Sequence, residues 1–359
     1  MLIAKAKFIS ELVLGASLTL LSNCREKPTN CMKQKLSRLK PFLHWAILGG
    51  MLIFLVKAFQ NHWQEVAAIR IEPVGWFYLA SAIVVTLLAF SCAGWVWSLT
   101  LGEFNQPLNS TWVIKVYLKT HIAKYLPGHL WHYYGRIWNA KNAGVSPEIA
   151  TLSVVIEPFL MIAAALLTTL VSSHLSGSIS PTAQSWTLQV PCLVGILTIV
   201  HPRVLNPLLG FTGKFKKNPS CPNINAAACI ERYPLKLLLG ALCFISLRCG
   251  GFLLTFIAIN PVSLNQLPML VSSFSLAWLL SVVVPGAPGG VGVLEGTAVA
   301  LLNQSFPTGV LLSIVALFRF ISILAEVTGA GLAWLDERYR KSEDKIETTQ
   351  PAAEYVPIE

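Results

Sequence analysis

The sequence predicts an all-α polytopic membrane bundle, with about six full spans, a Pro/Gly-broken re-entrant hairpin and both termini cytoplasmic. Three observations carry this reading. The chain of 359 residues is 54% apolar and only 12% charged, with a mean hydropathy of +0.61, whereas an ordinary soluble domain is nearer 25% charged. Its apolar residues arrive in long blocks rather than as stripes. Its basic residues cluster in alternate connecting segments. Together these exclude a soluble enzyme and a disordered chain.

Residues 1–31 run basic, then apolar from Phe8 to Leu21, and then enter Leu21-Ser22-Asn23-Cys24. They read either as a signal-like segment or as an extension ahead of the working start, because Met32-Lys33-Gln34-Lys35 suits a start before a span. Crossing a bilayer takes about 20 apolar residues. Blocks of that order occupy 41–60, 74–100, 148–173, 185–201, 235–260 and 308–335; the 185–201 block is short and contains Pro191. Backbone groups in hydrocarbon must pair within their own segment, so each block is predicted to be helical. The membrane domain is therefore placed at 32–335, and the polar, acidic tail of 336–359 is predicted to be disordered.

The formal net charge of +10 invites a nucleic-acid partner, but the placement of the charges argues against one. Basic residues lie in segment 32–40, in the loops 101–147 and 202–236, and after Leu335, while the intervening loops 61–73, 174–184, 261–266 and 304–307 hold only Arg70. This alternation follows the positive-inside rule. The basic residues sit beside spans, where anionic lipid is the nearest partner.

Parity then constrains the two shorter blocks, 267–284 and 291–303, which flank Pro285-Gly286-Ala287-Pro288-Gly289-Gly290. The chain leaves 235–260 on the outer side and begins 308–335 there, so the stretch between must enter and return. The second arm is too short to span comfortably, which favours a re-entrant hairpin. Broken helices of this kind recur at substrate sites in transporters.

Glu157, Arg248, Glu295, Arg319 and Glu326 stand inside apolar blocks. Each costs roughly 2.5–3.5 kcal/mol near the bilayer centre, so lipid-facing positions are disfavoured. Two roles remain open for them: ion pairs that hold the bundle together, or a polar pathway for a charged headgroup. Arg319 and Glu326 are two turns apart on one helix face. Pro288, Gly289, Gly290 and Gly292, followed by Glu295, can turn the backbone sharply and bring it close to a ligand. Tight packing is the alternative, since Gly286/Gly290 and Gly292/Gly296 are spaced as in close helix contacts. No strand precedes these glycines, which excludes a nucleotide-binding loop.

In the cytoplasmic loop, Lys115 and Lys119 precede Lys124-Tyr125-Leu126-Pro127-Gly128-His129-Leu130-Trp131-His132-Tyr133-Tyr134-Gly135-Arg136. Lysines interleaved with Trp112, Val113, Val116 and Tyr117 suit an interfacial helix with its cations toward lipid phosphates. His129 and His132 lack a nearby carboxylate for a metal site, and the remaining histidines, His121 among them, read as ordinary interface and loop residues. No metal or cofactor is expected.

The Leu126-Pro127-Gly128 motif with downstream Arg136, Glu157 in the next span, and the Pro288-to-Gly296 break together resemble the lysylphosphatidylglycerol synthase transmembrane-region family of flippase-like proteins. The resemblance covers most of 40–335 and implies that Pro127, Gly128, Arg136, Glu157, Pro288, Gly289, Gly290, Gly292 and Glu295 occupy the family's recurrent positions. Relatives often carry an arginine after the first glutamate, an aspartate slightly later and an arginine before the second glutamate. Here Pro158, Met161 and Leu294 stand in those places. With only 24 residues after Leu335, no aminoacyl-transferase domain is expected.

The leading expectation is therefore a lipid translocase that moves phospholipid or glycolipid headgroups without ATP and is not an enzyme. It would sit in a prokaryotic plasma (inner) membrane. Arg248 or Arg319 would meet the phosphate, with Glu326 beside the path and Lys115, Lys119, Lys124 and Arg136 gathering anionic lipid. Two alternatives are an intramembrane enzyme acting on a lipid or polyprenyl carrier, and a non-catalytic partner of a separate synthase or glycosyltransferase.

Overall fold

A computed structural model describes residues 71–125, 130–175, 183–200, 235–284, 290 and 292–349, all within one compact unit, Ala46–Glu359. The predicted span 41–60, the segment 1–31 and most of the loop 202–236 lie outside the described residues. Among the described residues there are nine α-helices and no strand: α1 Pro73–Glu103, α2 Ser110–His121, α3 Trp131–Asn142, α4 Pro147–Leu175, α5 Ala183–Val200, α6 Leu235–Ile259, α7 Leu267–Val283, α8 Val293–Leu302 and α9 Thr308–Thr349. Five stretches are long and apolar enough to cross a membrane: α1, α4, α6, Leu264–Val283 (α7 with its leading turn) and Thr308–Tyr339 of α9. The helical membrane bundle that the apolar blocks predict is thus the observed fold.

Local sequence explains several boundaries. Pro73 opens α1, where its missing N–H has no helical acceptor to satisfy. Asn109 caps α2, its Oδ1 accepting the N–H groups of Thr111 at 3.0 Å and Trp112 at 3.4 Å. α3 has two faces at helical spacing: His132, Arg136 and Ala140 are buried, while Trp131, Tyr134 and Trp138 are exposed. α4 runs unbroken through Pro158.

α6 lies along α1, and small residues set how closely they approach. A Cβ at Gly240 would come within 2.5 Å of Val96 Cγ2, and one at Gly251 within 2.6 Å of Thr86 Oγ1. With little hydrophobic drive between helices in lipid, such close backbone approach is a main source of association. An aromatic cluster joins α6, α7 and α9: the Phe252 ring stacks on Phe274 at 4.7 Å and meets Phe318 edge-on at 5.6 Å. α4 packs against both α6 and α7, and α2 against α1 and α9.

The hairpin has unequal arms. α8 has ten residues, about 15 Å of rise and half a bilayer core. Gly290 and Gly292 take left-handed backbone angles, φ 70° and 84°, which L side chains rarely adopt. At the far end, α9 continues past Leu335 to Thr349; the sequence-based expectation of a disordered tail from 336 is replaced by helix over that length. Leu335-Asp336-Glu337-Arg338-Tyr339-Arg340-Lys341 contains no proline or glycine to stop it.

Candidate functional site

The buried charges form three ion pairs that tie α9, α8, α4 and the α2–α3 segment together. The first joins α3 to α4. Arg136 Nη1 donates to Glu157 Oε2 at 2.5 Å, and the Tyr117 hydroxyl donates to Glu157 Oε1 at 2.9 Å. The Arg136 guanidinium also lies 3.9 Å from the centroid of the Tyr117 ring. Arg136 is only 1% exposed, so the pair is sealed between helices. Below it, Trp97 Nε1 donates to Ser153 Oγ at 3.1 Å.

The second pair staples the broken hairpin. Glu295 Oε1 meets Arg319 Nε at 2.6 Å, while Glu295 Oε2 accepts the Gly292 N–H at 2.6 Å. Arg319 Nη2 donates to the Gly290 carbonyl at 3.1 Å. A Cβ on Gly290 would fall 2.7 Å from Ser281 Cβ, so the turn is pressed against the end of α7. Arg319 stands eleven residues into α9, about 16 Å along it, and holds the turn at that depth.

The third pair lies two turns further along α9. Lys124 Nζ, in the turn Ile122–Tyr125, meets Glu326 Oε1 at 2.5 Å and His121 Nε2 at 3.1 Å. The His121 ring stacks on Tyr117 at 5.3 Å and lies 6.2 Å from His132, so this pair adjoins the Arg136–Glu157 pair. Burial first, and then the Lys124 ammonium, hold the His121 imidazole well below its ordinary 6.5. Burial also lowers Lys124, opposed by the Glu326 carboxylate, and pushes the Tyr133 phenol up to about 12.

Arg248 is a further cation beside the third pair, sharing the Phe90 ring with Lys124. It is 6% exposed on α6, donates from Nη1 to Ser322 Oγ at 3.1 Å, and lies over the Phe318 and Phe90 rings at 4.8 and 5.2 Å. Its Nε has no hydrogen-bond partner.

The bundle gathers Glu157, Arg248, Gly290, Gly292, Glu295, Arg319 and Glu326 into its interior. Lys124 and Arg136, expected from sequence to gather lipid at the cytoplasmic face, are instead turned inward onto Glu326 and Glu157. Pro127, Gly128, Pro288 and Gly289 lie outside the described residues. Arg319 and Glu326 share a face of α9 but are partnered by different elements. Lys115 and Lys119 differ from expectation: they pair with Asp336 and Glu337 of α9, because α9 continues as helix where a disordered tail is predicted. His121 and Ser322 are site residues that sequence reasoning misses. His121 reads as an unremarkable loop histidine, although its spacing from Tyr117 and Lys124 by four and three residues places all three on one helical face.

The sequence pattern of the lysylphosphatidylglycerol synthase TM region matches residues 42–328. Comparison with individual curated proteins gives no match. The matched range takes in the three ion pairs, Arg248, Gly290 and Gly292, and covers most of the chain. The chain belongs to the lysylphosphatidylglycerol synthase transmembrane-region family.

Proposed function

We propose that the protein is a lipid translocase that passes a phospholipid or glycolipid headgroup across the bilayer without hydrolysing ATP, and that it is not itself an enzyme. The observation that supports this reading is the polar seam of α9: Arg319, Ser322 and Glu326 face inward and engage Glu295, Arg248 and Lys124 from three other elements. Buried ion pairs are weak devices for stability, because apolar residues of similar volume often hold a core as well or better. In a bilayer they are dearer still, and they commonly mark a substrate pathway. Here seven residues separate the Glu295 and Lys124 contacts on α9, about 10 Å along its axis. A headgroup can exchange places with one partner of each pair in turn while its acyl chains stay in lipid.

On this reading the loops 101–147 and 202–236 and both termini face the cytoplasm of a prokaryotic cell, where anionic lipid lies beside these basic loops. The test is leaflet exchange of fluorescent phospholipids in liposomes containing the full chain. Exchange well above that of protein-free liposomes is expected, with at least a tenfold loss in Glu295→Ala and Arg319→Ala. Exchange no faster than in empty liposomes, or undiminished in both variants, rejects the proposal.

A further inference from the structure

Among the described residues the interior charges do not balance. Apart from Glu148 at the exposed start of α4, the apolar blocks contain only three carboxylates, Glu157, Glu295 and Glu326. Each is committed to a cation at 2.5 or 2.6 Å: Arg136, Arg319 and Lys124 respectively. Arg248 is the fourth cation. Its described partners are neutral, namely the Ser322 hydroxyl and the Phe90 and Phe318 rings.

An arginine that serves only structure is expected to meet a carboxylate or to exhaust its donors on carbonyls. Arg248 does neither: one Nη1 donor goes to a hydroxyl and Nε is unpartnered, although the residue is more than nine-tenths buried. It lies thirteen residues into the 25-residue α6, about 20 Å from its start and near the middle of that helix. A buried positive charge in the middle of an apolar helix calls for an anion. The guanidinium lies 5.2 and 4.8 Å from the Phe90 and Phe318 rings, and its buried Nε is left without an acceptor. Phosphate oxygens fit a guanidinium edge, which presents parallel N–H donors in a fixed fork.

We infer that Arg248 is the seat of a phosphate group, delivered as the phosphodiester of a membrane lipid, with Ser322, Phe90 and Phe318 positioning the guanidinium. This rests on the reading of the protein as a headgroup carrier and adds to it the ligand chemistry and the residue that takes it. Arg319 and the Lys124–Glu326 pair lie on either side of Ser322 along α9, and the Glu326 carboxylate, already paired with Lys124, also acts on Arg248 from a distance.

The experiment follows the melting temperature of the purified full chain in detergent as short-chain lipids are added. Dioctanoyl phosphatidylglycerol, dioctanoyl phosphatidylcholine, dioctanoylglycerol and inorganic phosphate are compared for the wild type, Arg248→Met, Arg248→Lys and Ser322→Ala. Both phospholipids are expected to raise the wild-type melting temperature, with at least tenfold lower apparent affinity for dioctanoylglycerol, which has the same chains and no phosphate. Arg248→Met is expected to melt at or above the lipid-free wild type, since it removes the unbalanced charge, and to lose the phospholipid response at least tenfold. Arg248→Lys keeps a weakened response, and Ser322→Ala weakens it a few-fold.

Equal responses of wild type and Arg248→Met, or of phospholipid and dioctanoylglycerol, overturn the inference. So does an Arg248→Met protein that no longer folds together with an Arg248→Lys protein that responds like the wild type. Inorganic phosphate acting at the same concentration as phospholipid overturns the lipid source. Leaflet exchange by the same variants separates this inference from the proposed function. Arg248-dependent binding without exchange removes translocation alone, and exchange with unaltered lipid affinity in Arg248→Met removes the phosphate seat alone.

Discussion

Glu295 and Arg319 meet at 2.6 Å across the break in the hairpin, one in the first turn of α8 and the other inside α9. The carboxylate takes the Gly292 N–H on its second oxygen, and the guanidinium takes the Gly290 carbonyl. Four backbone and side-chain groups are thereby satisfied where irregular backbone would otherwise leave polar groups exposed to hydrocarbon.

Removing one member of this pair leaves the other charged and buried. Glu295→Gln and Arg319→Leu are each expected to destabilise the protein by about 3–5 kcal/mol. The double variant should lose less than the sum of the two. Thermal or denaturant unfolding of the four proteins, treated as a double-mutant cycle, checks the coupling.

Gly290 and Gly296 make a matched pair of substitutions. Gly290 has φ 70° and Ser281 Cβ would sit 2.7 Å from an added Cβ, whereas nothing lies within 4 Å at Gly296. Gly290→Ala should lower stability by more than about 1 kcal/mol through strain and contact. Gly296→Ala, inside α8, should be neutral or stabilising by up to about 1 kcal/mol. Melting temperatures of the two variants distinguish a turn glycine from one that is merely near it.

Tyr117→Phe removes the hydroxyl that donates to Glu157 at 2.9 Å while leaving the ring under Arg136. The Glu157 carboxylate then loses one of two buried donors. A loss of about 1.5–3 kcal/mol is expected, the range for hydrogen bonds to a charged group. Tyr117→Leu should lose more, because the ring contact with the guanidinium goes as well. Unfolding curves of the two variants provide the comparison.

His121 gives stability a pH dependence of defined sign. It faces Lys124 and Glu326, stacks on Tyr117 and adjoins His132. Its folded-state value is lowered well below 6.5, so protons bind the unfolded chain first. This contribution to stability is present in full above about pH 6.5 and declines as pH falls below it, by up to about 1.4 kcal/mol per pH unit. The melting temperature should therefore fall between pH 7.5 and 5.5, and His121→Gln should flatten that fall. An unchanged slope in the variant would assign the effect to another group.

Lys115 and Lys119 meet Asp336 and Glu337 with side chains 15–40% exposed. Such pairs contribute about 0–1 kcal/mol and are weakened by salt. Lys115→Gln and Lys119→Gln should barely change the melting temperature while reducing binding to anionic vesicles at low salt, which co-sedimentation would measure.

Composition and block length alone determine that this chain is a helical membrane bundle. The low charge content and the apolar blocks leave no other structure that satisfies the backbone in lipid. The sequence also picks out the charges that matter: Glu157, Arg248, Glu295, Arg319 and Glu326 are conspicuous because insertion makes each of them costly. Pairing was not legible, because ion pairs form between helices far apart in the chain, and nothing in local spacing matches Arg136 with Glu157 or Lys124 with Glu326. For the same reason Arg319 and Glu326, neighbours on one face of α9, turn out to serve different partners. Lys115 and Lys119 read as lipid contacts until α9, continuing as helix past Leu335, brings Asp336 and Glu337 against them. The +10 total and the number of intramembrane charges belong to the sequence. Among the described residues, only the tertiary structure assigns each carboxylate to a cation and sets Arg248 against Ser322, Phe90 and Phe318.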